Sequence, residues 1–193
     1  MKLLREKLFT LRSYTPIPFL LVMIIFAQPT VMTMTVGVVL VAFGESLRFW
    51  GVAYAGSLTR VTGNVGAPEV IVSGPFAYVR NPLYVGNMLT YIGVGVMSNA
   101  LFPWFVCAAA AYFVFQYFQI VLAEEEFLVN EFGVGYVEYK KNVPRFIPRI
   151  IPYAHLSQMR QQARWHEAVR SERRTFQALG LVLLVLLVLW YMR

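Results

Sequence analysis

The sequence predicts an all-α fold: an integral membrane helical bundle of about five transmembrane helices with functional loops at the cytoplasmic face. Three observations predict it. Apolar residues make up 58% of the 193 and charged residues only 14%, against about 45–50% and about 25% in soluble domains, and the mean hydropathy is +0.57. The charges stand between three long uncharged runs, residues 13–44, 81–123 and 175–192. The basic residues also fall on one side of the spans that those runs define. So few charges could not cover a soluble domain of this size, which excludes an ordinary cytosolic enzyme and a disordered chain. With Cys107 as the only cysteine, a disulfide scaffold is excluded as well. The net charge of +7 is confined to segments between spans and does not mark a nucleic-acid binder.

One helical crossing takes about 20 residues. The first run, 32 residues broken by Gln28-Pro29-Thr30, is long for one span and short for two. Extending its second helix through Glu45 and Arg48 to about Tyr54 makes room for a hairpin broken near Pro29. Those two charges lie three apart on a helix and could partner each other or a headgroup. The second run, 43 residues with a break at Ser98-Asn99-Ala100-Leu101-Phe102-Pro103, is two spans and a tight turn. The third, 18 residues and almost pure Leu/Val after Gly180, is one span. No signal-peptide cleavage pattern interrupts the first run.

Charge bias orients these spans. With the amino terminus cytoplasmic, the inner segments hold Lys2, Arg5, Lys7 and Arg12, then Arg48, Arg60 and Arg80, and all nine basic residues from Lys140 to Arg174. Only Arg193 is outside, and neither outer turn is charged. Any site therefore belongs at the cytoplasmic interface, where a soluble cofactor and a lipid-borne substrate can meet.

Two segments could carry chemistry. Residues 74–86, Gly-Pro-Phe-Ala-Tyr-Val-Arg-Asn-Pro-Leu-Tyr-Val-Gly, read as a turn followed by a helix opened by Pro82. The amides at that helix start favour an anionic group, with Arg80 beside them as a fork-shaped donor. The bland alternative is an arginine snorkelling at a membrane edge. The second segment is Glu124-Glu125-Glu126, directly after an apolar run. Three acids there are costly unless used or solvated. Leu122, Phe127, Leu128 and Phe132 continue the apolar face, so the helix is expected to run on. Successive positions point about 100° apart, which favours Glu124 and Glu125 inward and Glu126 outward; a solvated acidic rim is the alternative.

Other patterns are set aside. Gly93-x-Gly95 and Gly133-x-Gly135 lack the strand-turn-helix context of a nucleotide loop, and small residues in spans serve packing. His155 and His166 have no further ligands at metal spacing. Cys107 reads as packing. Phe113, Phe115, Tyr117 and Phe118 read first as lipid-facing and second as a ligand groove. The stretch from Arg160 to Arg174 looks like an interfacial helix drawn to anionic lipid.

Together the two segments are far more specific. Ser73-Gly74-Pro75-Phe76-x-x-x-Arg80-Asn81-Pro82-x-Tyr84-x-Gly86, followed by Glu124-Glu125-x-x-Leu128, Phe132-Gly133, Tyr136-x-x-Tyr139 and Val143-Pro144, resembles the isoprenylcysteine carboxyl methyltransferase family in order, spacing and placement. The resemblance covers about residues 54–148 and implies a membrane-embedded methyltransferase using S-adenosylmethionine. It divides the chain into a methyltransferase core, 1–148, and an addition, 149–193, made of an Arg-rich interfacial helix and a C-terminal span. By position it names Val70, Ile71, Phe76, Asn81, Pro82, Leu83, Tyr84, Glu124 and Glu125 as cofactor-binding, and Arg80 and Tyr84 as catalytic, Arg80 orienting the loop or the substrate. Glu125→Gln is then expected to weaken cofactor binding without unfolding the chain. Methyl transfer from a sulfonium needs positioning in a dry site more than acid-base groups, consistent with the lack of any catalytic dyad.

Two departures bear on the acceptor. Asn81 stands where the family has histidine, and Ile120 stands where prenylcysteine-specific members carry an arginine thought to bind the substrate carboxylate. Either that substrate is not used, or Arg145 or Arg149 replaces the anchor. The partners expected are membrane lipids and a lipophilic acceptor (carboxylate, amine or thiol) entering laterally from the bilayer, with no metal and no nucleic acid. The reading from a different class is a non-catalytic membrane scaffold. A transporter is disfavoured by the absence of repeated halves.

Overall fold

The computed structural model describes residues 2–56 and 70–192. Arg60 and Arg193, used above for orientation, lie outside the described residues. The helices, in order, are α1 (Lys2–Leu11), α2 (Pro16–Ile25), α3 (Val31–Ala55), α4 (Pro82–Ser98), α5 (Trp104–Phe132), α6 (Val134–Asn142) and α7 (Trp165–Tyr191). Short 3-10 turns stand at Gly74–Ala77 and Leu156–Arg160. Among the described residues there is no strand.

Local chemistry sets the boundaries. Prolines open α2 and α4, where a missing N–H costs nothing. Thr30 and Thr33 close a reciprocal cap at the start of α3. Asn99, left-handed at φ 51°, ends α4. By length and apolarity α3, α5 and α7 can each cross a membrane, and α1–α2, bent by 52°, can form a fourth span. The helix expected as a further span, α4, is 17 residues and about 25 Å long, shorter than these. The chain is an integral membrane protein with roughly the predicted number of spans. Its first arm is a bent pair rather than a straight helix.

The two turns expected outside meet each other: the Gln28 amide donates to the Ser98 carbonyl at 2.7 Å, and Asn99 Nδ2 to the Gln28 carbonyl at 2.9 Å. At the opposite end, Arg5 of α1 reaches Glu126 and Gln119 of α5 at 3.3 and 3.4 Å. Helices α3 and α4 are in the closest contact. A Cβ on Gly44 would stand 2.7 Å from the Gly86 carbonyl oxygen, and one on Gly93 2.8 Å from that of Gly37. This seam of small residues lets two backbones touch. It also puts Glu45 and Arg48 of α3 against Thr90 and Gly86 of α4. The main core gathers Met23, Met34, Val94, Met97, Phe113, Tyr117, Ile120 and Leu186 from α2–α5 and α7.

Three expectations change. Phe113 and Tyr117 are buried while Phe115 and Phe118 are exposed, so the aromatic cluster splits into an inner pair at i, i+4 and an outer pair at i, i+3. Cys107 is exposed on the outer face of α5 and does not pack inside. The basic stretch and the last span share one continuous helix, α7; only Arg160 and Arg164 precede it.

Candidate active site

A cavity of about 760 Å³ lies among α1–α7 and the loop before α4. Every position expected from the sequence to hold cofactor or do chemistry lines it: Val70, Ile71 and Phe76 from the loop, Arg80 to Tyr84 from the start of α4, and Glu124 and Glu125 from α5.

The loop is held from behind by the segment after α6. The Arg80 amide donates to the Pro144 carbonyl at 2.9 Å, the Arg149 amide to Tyr78 at 3.0 Å and the Tyr153 amide to Ala77 at 2.9 Å. Gln161 brackets the start of the loop: its Oε1 accepts from the Val72 amide at 2.9 Å and its Nε2 donates to the Val70 carbonyl at 2.8 Å. Gln158 Nε2 donates to the Val72 carbonyl at 2.9 Å. Gly74 turns the chain at φ 60°, where a side chain would strike the Tyr54 ring. From α6, the Tyr139 hydroxyl donates to the Phe76 carbonyl at 2.7 Å.

The adjacent glutamates do different things. Glu124 Oε1 accepts from the Tyr84 hydroxyl at 2.5 Å, joining α5 to α4 inside the cavity. Glu125 is clamped by two arginines. Arg80 donates Nε and Nη2 to its Oε1 at 3.0 and 2.9 Å, and Arg145 donates Nε to Oε1 at 3.1 Å and Nη2 to Oε2 at 2.8 Å. Arg80 Nη1 goes to the Lys140 and Val143 carbonyls, so its fork is spent within the protein. Glu126 points out, to Arg5. Asn81 does not cap α4; its Nδ2 donates to the Arg145 carbonyl at 3.2 Å. The first helical amides, Leu83 and Tyr84, are thus left at the cavity end of α4.

Outside the spans, the perturbed groups nearest the site are Tyr139, Tyr136 and Arg145. Burial first, then Tyr136 beside it, pushes the Tyr139 phenol well above its ordinary value, and burial does the same to Tyr136. The hydrogen bond to Glu125 holds the Arg145 guanidinium above its ordinary value. All three keep their protonated forms across the neutral range.

Beyond Tyr84 the cavity becomes apolar and aromatic. Tyr84 packs on Tyr117 at 5.0 Å and Tyr91 on Phe113 at 4.5 Å, while Phe19, Leu20 and Met23 of α2 face Leu179 and Val182 of α7. One wall carries a buried ionic set: Arg48 Nη1 to Glu45 at 2.9 Å, Arg48 Nη2 to Glu172 at 2.8 Å and Thr90 Oγ1 to Glu45 at 2.9 Å. Glu45 and Arg48 partner each other, as their spacing allows, and α7 adds Glu172.

Sequence reasoning missed Glu172, Gln158 and Gln161. Glu172 is masked by the arginines around it, and the glutamines have no motif. The sequence offers Arg145 only as a substrate anchor. It is committed to Glu125, and neither it nor Arg149 lines the cavity.

Comparisons agree with the resemblance. The phospholipid methyltransferase family matches residues 32–134. The cobalt-zinc-cadmium resistance protein CzcN of Cupriavidus metallidurans is 30% identical over 141 residues, 73% of this chain and 58% of its own length. Human protein-S-isoprenylcysteine O-methyltransferase is 37% identical over 120 residues, 59% of this chain and 40% of its own; the Xenopus laevis protein of that name is 34% identical over 120 residues, 60% and 40%. The chain thus spans less than two thirds of the length of these relatives. No solved structure matches it.

Proposed function

Because the chain belongs to the phospholipid methyltransferase family, which matches more than half of it, we propose that it transfers a methyl group from S-adenosylmethionine to a lipophilic, membrane-borne acceptor. The observation that carries this reading is one cavity lined both by the Asn81-Pro82-x-Tyr84 segment and by Glu124, 40 residues away and bonded to Tyr84.

The residues fit the cofactor. The cavity is within the range of small-molecule sites, about 300–1,000 Å³. It offers a carboxylate for an ammonium or ribose hydroxyls, helix-start amides for a carboxylate, and Val70, Ile71, Phe76, Leu83 and Leu128 as an apolar wall for a base. When bound, S-adenosylmethionine supplies a methyl on a cationic sulfur, which an anionic nucleophile takes without a base.

The chain's own part is to place and dry. Tyr84 fixes the Glu124 carboxylate, and the aromatic wall of Tyr91, Phe113 and Tyr117 keeps water from the transfer. Arg80 acts as a positioning residue: with its donors committed to Glu125 and two carbonyls, it holds the loop rather than the acceptor. We place the site at the cytoplasmic face and the amino terminus inside, on charge bias. In this reading residues 1–148 carry the chemistry. Residues 149–193 brace the loop through Gln158 and Gln161 and close the acceptor side with α7.

Calorimetric titration of the purified protein with S-adenosylhomocysteine tests the proposal. Glu124→Gln removes a charged acceptor worth about 1.5–3 kcal/mol and should weaken binding roughly ten- to a hundredfold. Absence of heat and of any thermal shift from the unaltered protein would favour the scaffold instead. Mass spectrometry of a lipid extract incubated with enzyme and labelled cofactor would identify the acceptor.

A further inference from the structure

The segment 144–161, between α6 and α7, directs most of its polar contacts inward and five large apolar side chains outward, with His155 and Arg160 also exposed. Inward, Arg145 meets Glu125, the Arg149 and Tyr153 amides meet the loop before α4, and Gln158 and Gln161 bracket Val70–Val72. Outward stand Ile147, Ile150, Ile151, Leu156 and Met159, exposed by 80, 95, 71, 83 and 81%. A strap facing water would reverse that pattern.

Its depth is fixed by α5. The uncharged part of α5 ends at Ala123, and Phe118 lies about 8 Å back from there along the helix axis, on the hydrocarbon side. Phe118 is exposed on the flank of the spanning helix, and the strap lies over it: the Phe146 ring is 6.2 Å away and the Arg145 guanidinium 5.4 Å. The strap therefore continues the lipid-facing surface of α5. The exposed cations Lys141 and Arg160 flank the isoleucines, the arrangement that suits anionic headgroups above an apolar layer.

We infer that strap 144–161 is a membrane-docking element, seating Ile147, Ile150 and Ile151 in the bilayer interface at the Glu124 end of α5. The occupant of this apolar face is lipid rather than a second copy or a soluble protein. Because Arg145, Gln158 and Gln161 belong to the same strap, bilayer contact on its outside braces the cavity wall on its inside.

The test uses full-length protein, one copy per lipid nanodisc of phosphatidylcholine and phosphatidylglycerol, with Cys107→Ala and a fluorophore on Ile150→Cys. Ile151→Cys is a second labelling site and Glu138→Cys on α6 a control. Quenching by acyl-brominated lipid is compared with quenching by aqueous iodide. The inference expects a higher lipid-to-iodide ratio at 150 and 151 than at 138. An equal or lower ratio overturns it, and shielding from both quenchers overturns it in favour of a protein cover. No cofactor enters the measurement, so its outcome is separate from that of the methyl-transfer reading.

Discussion

Replacing Glu125 by glutamine removes a carboxylate whose side chain is 3% exposed and which faces Arg80, 7% exposed, and Arg145, 26% exposed. From the sequence the effect is expected on cofactor affinity with the fold intact. The contacts move the cost to stability. Arg145 can turn to water, whereas Arg80 stays buried with its carbonyl partners and no counter-charge. Breaking a buried pair by removing one partner costs about 3–5 kcal/mol. The glutamine oxygen still accepts one bond, which places the loss near the low end, about 3 kcal/mol. For a chain of this size that is about 6–12 °C in Tm. Tryptophan-fluorescence melting in detergent reads it directly, with Glu124→Gln alongside, where the neutral acceptor can keep the Tyr84 bond and the melt should hardly move. A Glu125→Gln melt coinciding with the parent's would refute the clamp.

Three further outcomes follow from the packing. Gly44→Ala should lose about 1–3 kcal/mol, since its methyl meets the Gly86 carbonyl and Thr90 Oγ1 at 2.7 and 2.8 Å; Gly180→Ala on α7, with nothing within 4 Å, should be neutral or slightly stabilising. Size-exclusion recovery after heating would rank them. Gln161→Ala strips partners from the Val72 amide and the Val70 carbonyl, for about 1–3 kcal/mol; Val72 amide exchange should quicken, and unchanged exchange would deny Gln161 its bracing role. The Tyr136 and Tyr139 phenols are raised in the fold, so the stability they contribute is whole below their ordinary value of 10.0 and lost as pH climbs past it. Melting temperatures should fall there, and less steeply in Tyr139→Phe.

Hydropathy and the order of charges determined the helical membrane class and the turns near Pro29 and Asn99, because a bilayer imposes length and polarity on a helix whatever its neighbours are. Motif spacing likewise pointed to the residues of one cavity, since Asn81-Pro82 starts a helix by local chemistry alone. Tertiary structure decided how those residues are employed. Nothing in Glu124-Glu125 says that the first meets Tyr84 while the second is taken by Arg80 and Arg145, because a 100° step on a helix has meaning only once neighbouring helices are in place. The Arg48–Glu172 pair, 124 positions apart, and the hold of Gln161 on Val70 and Val72 depend on which helix faces pack together, and a periodic pattern carries no record of its partner.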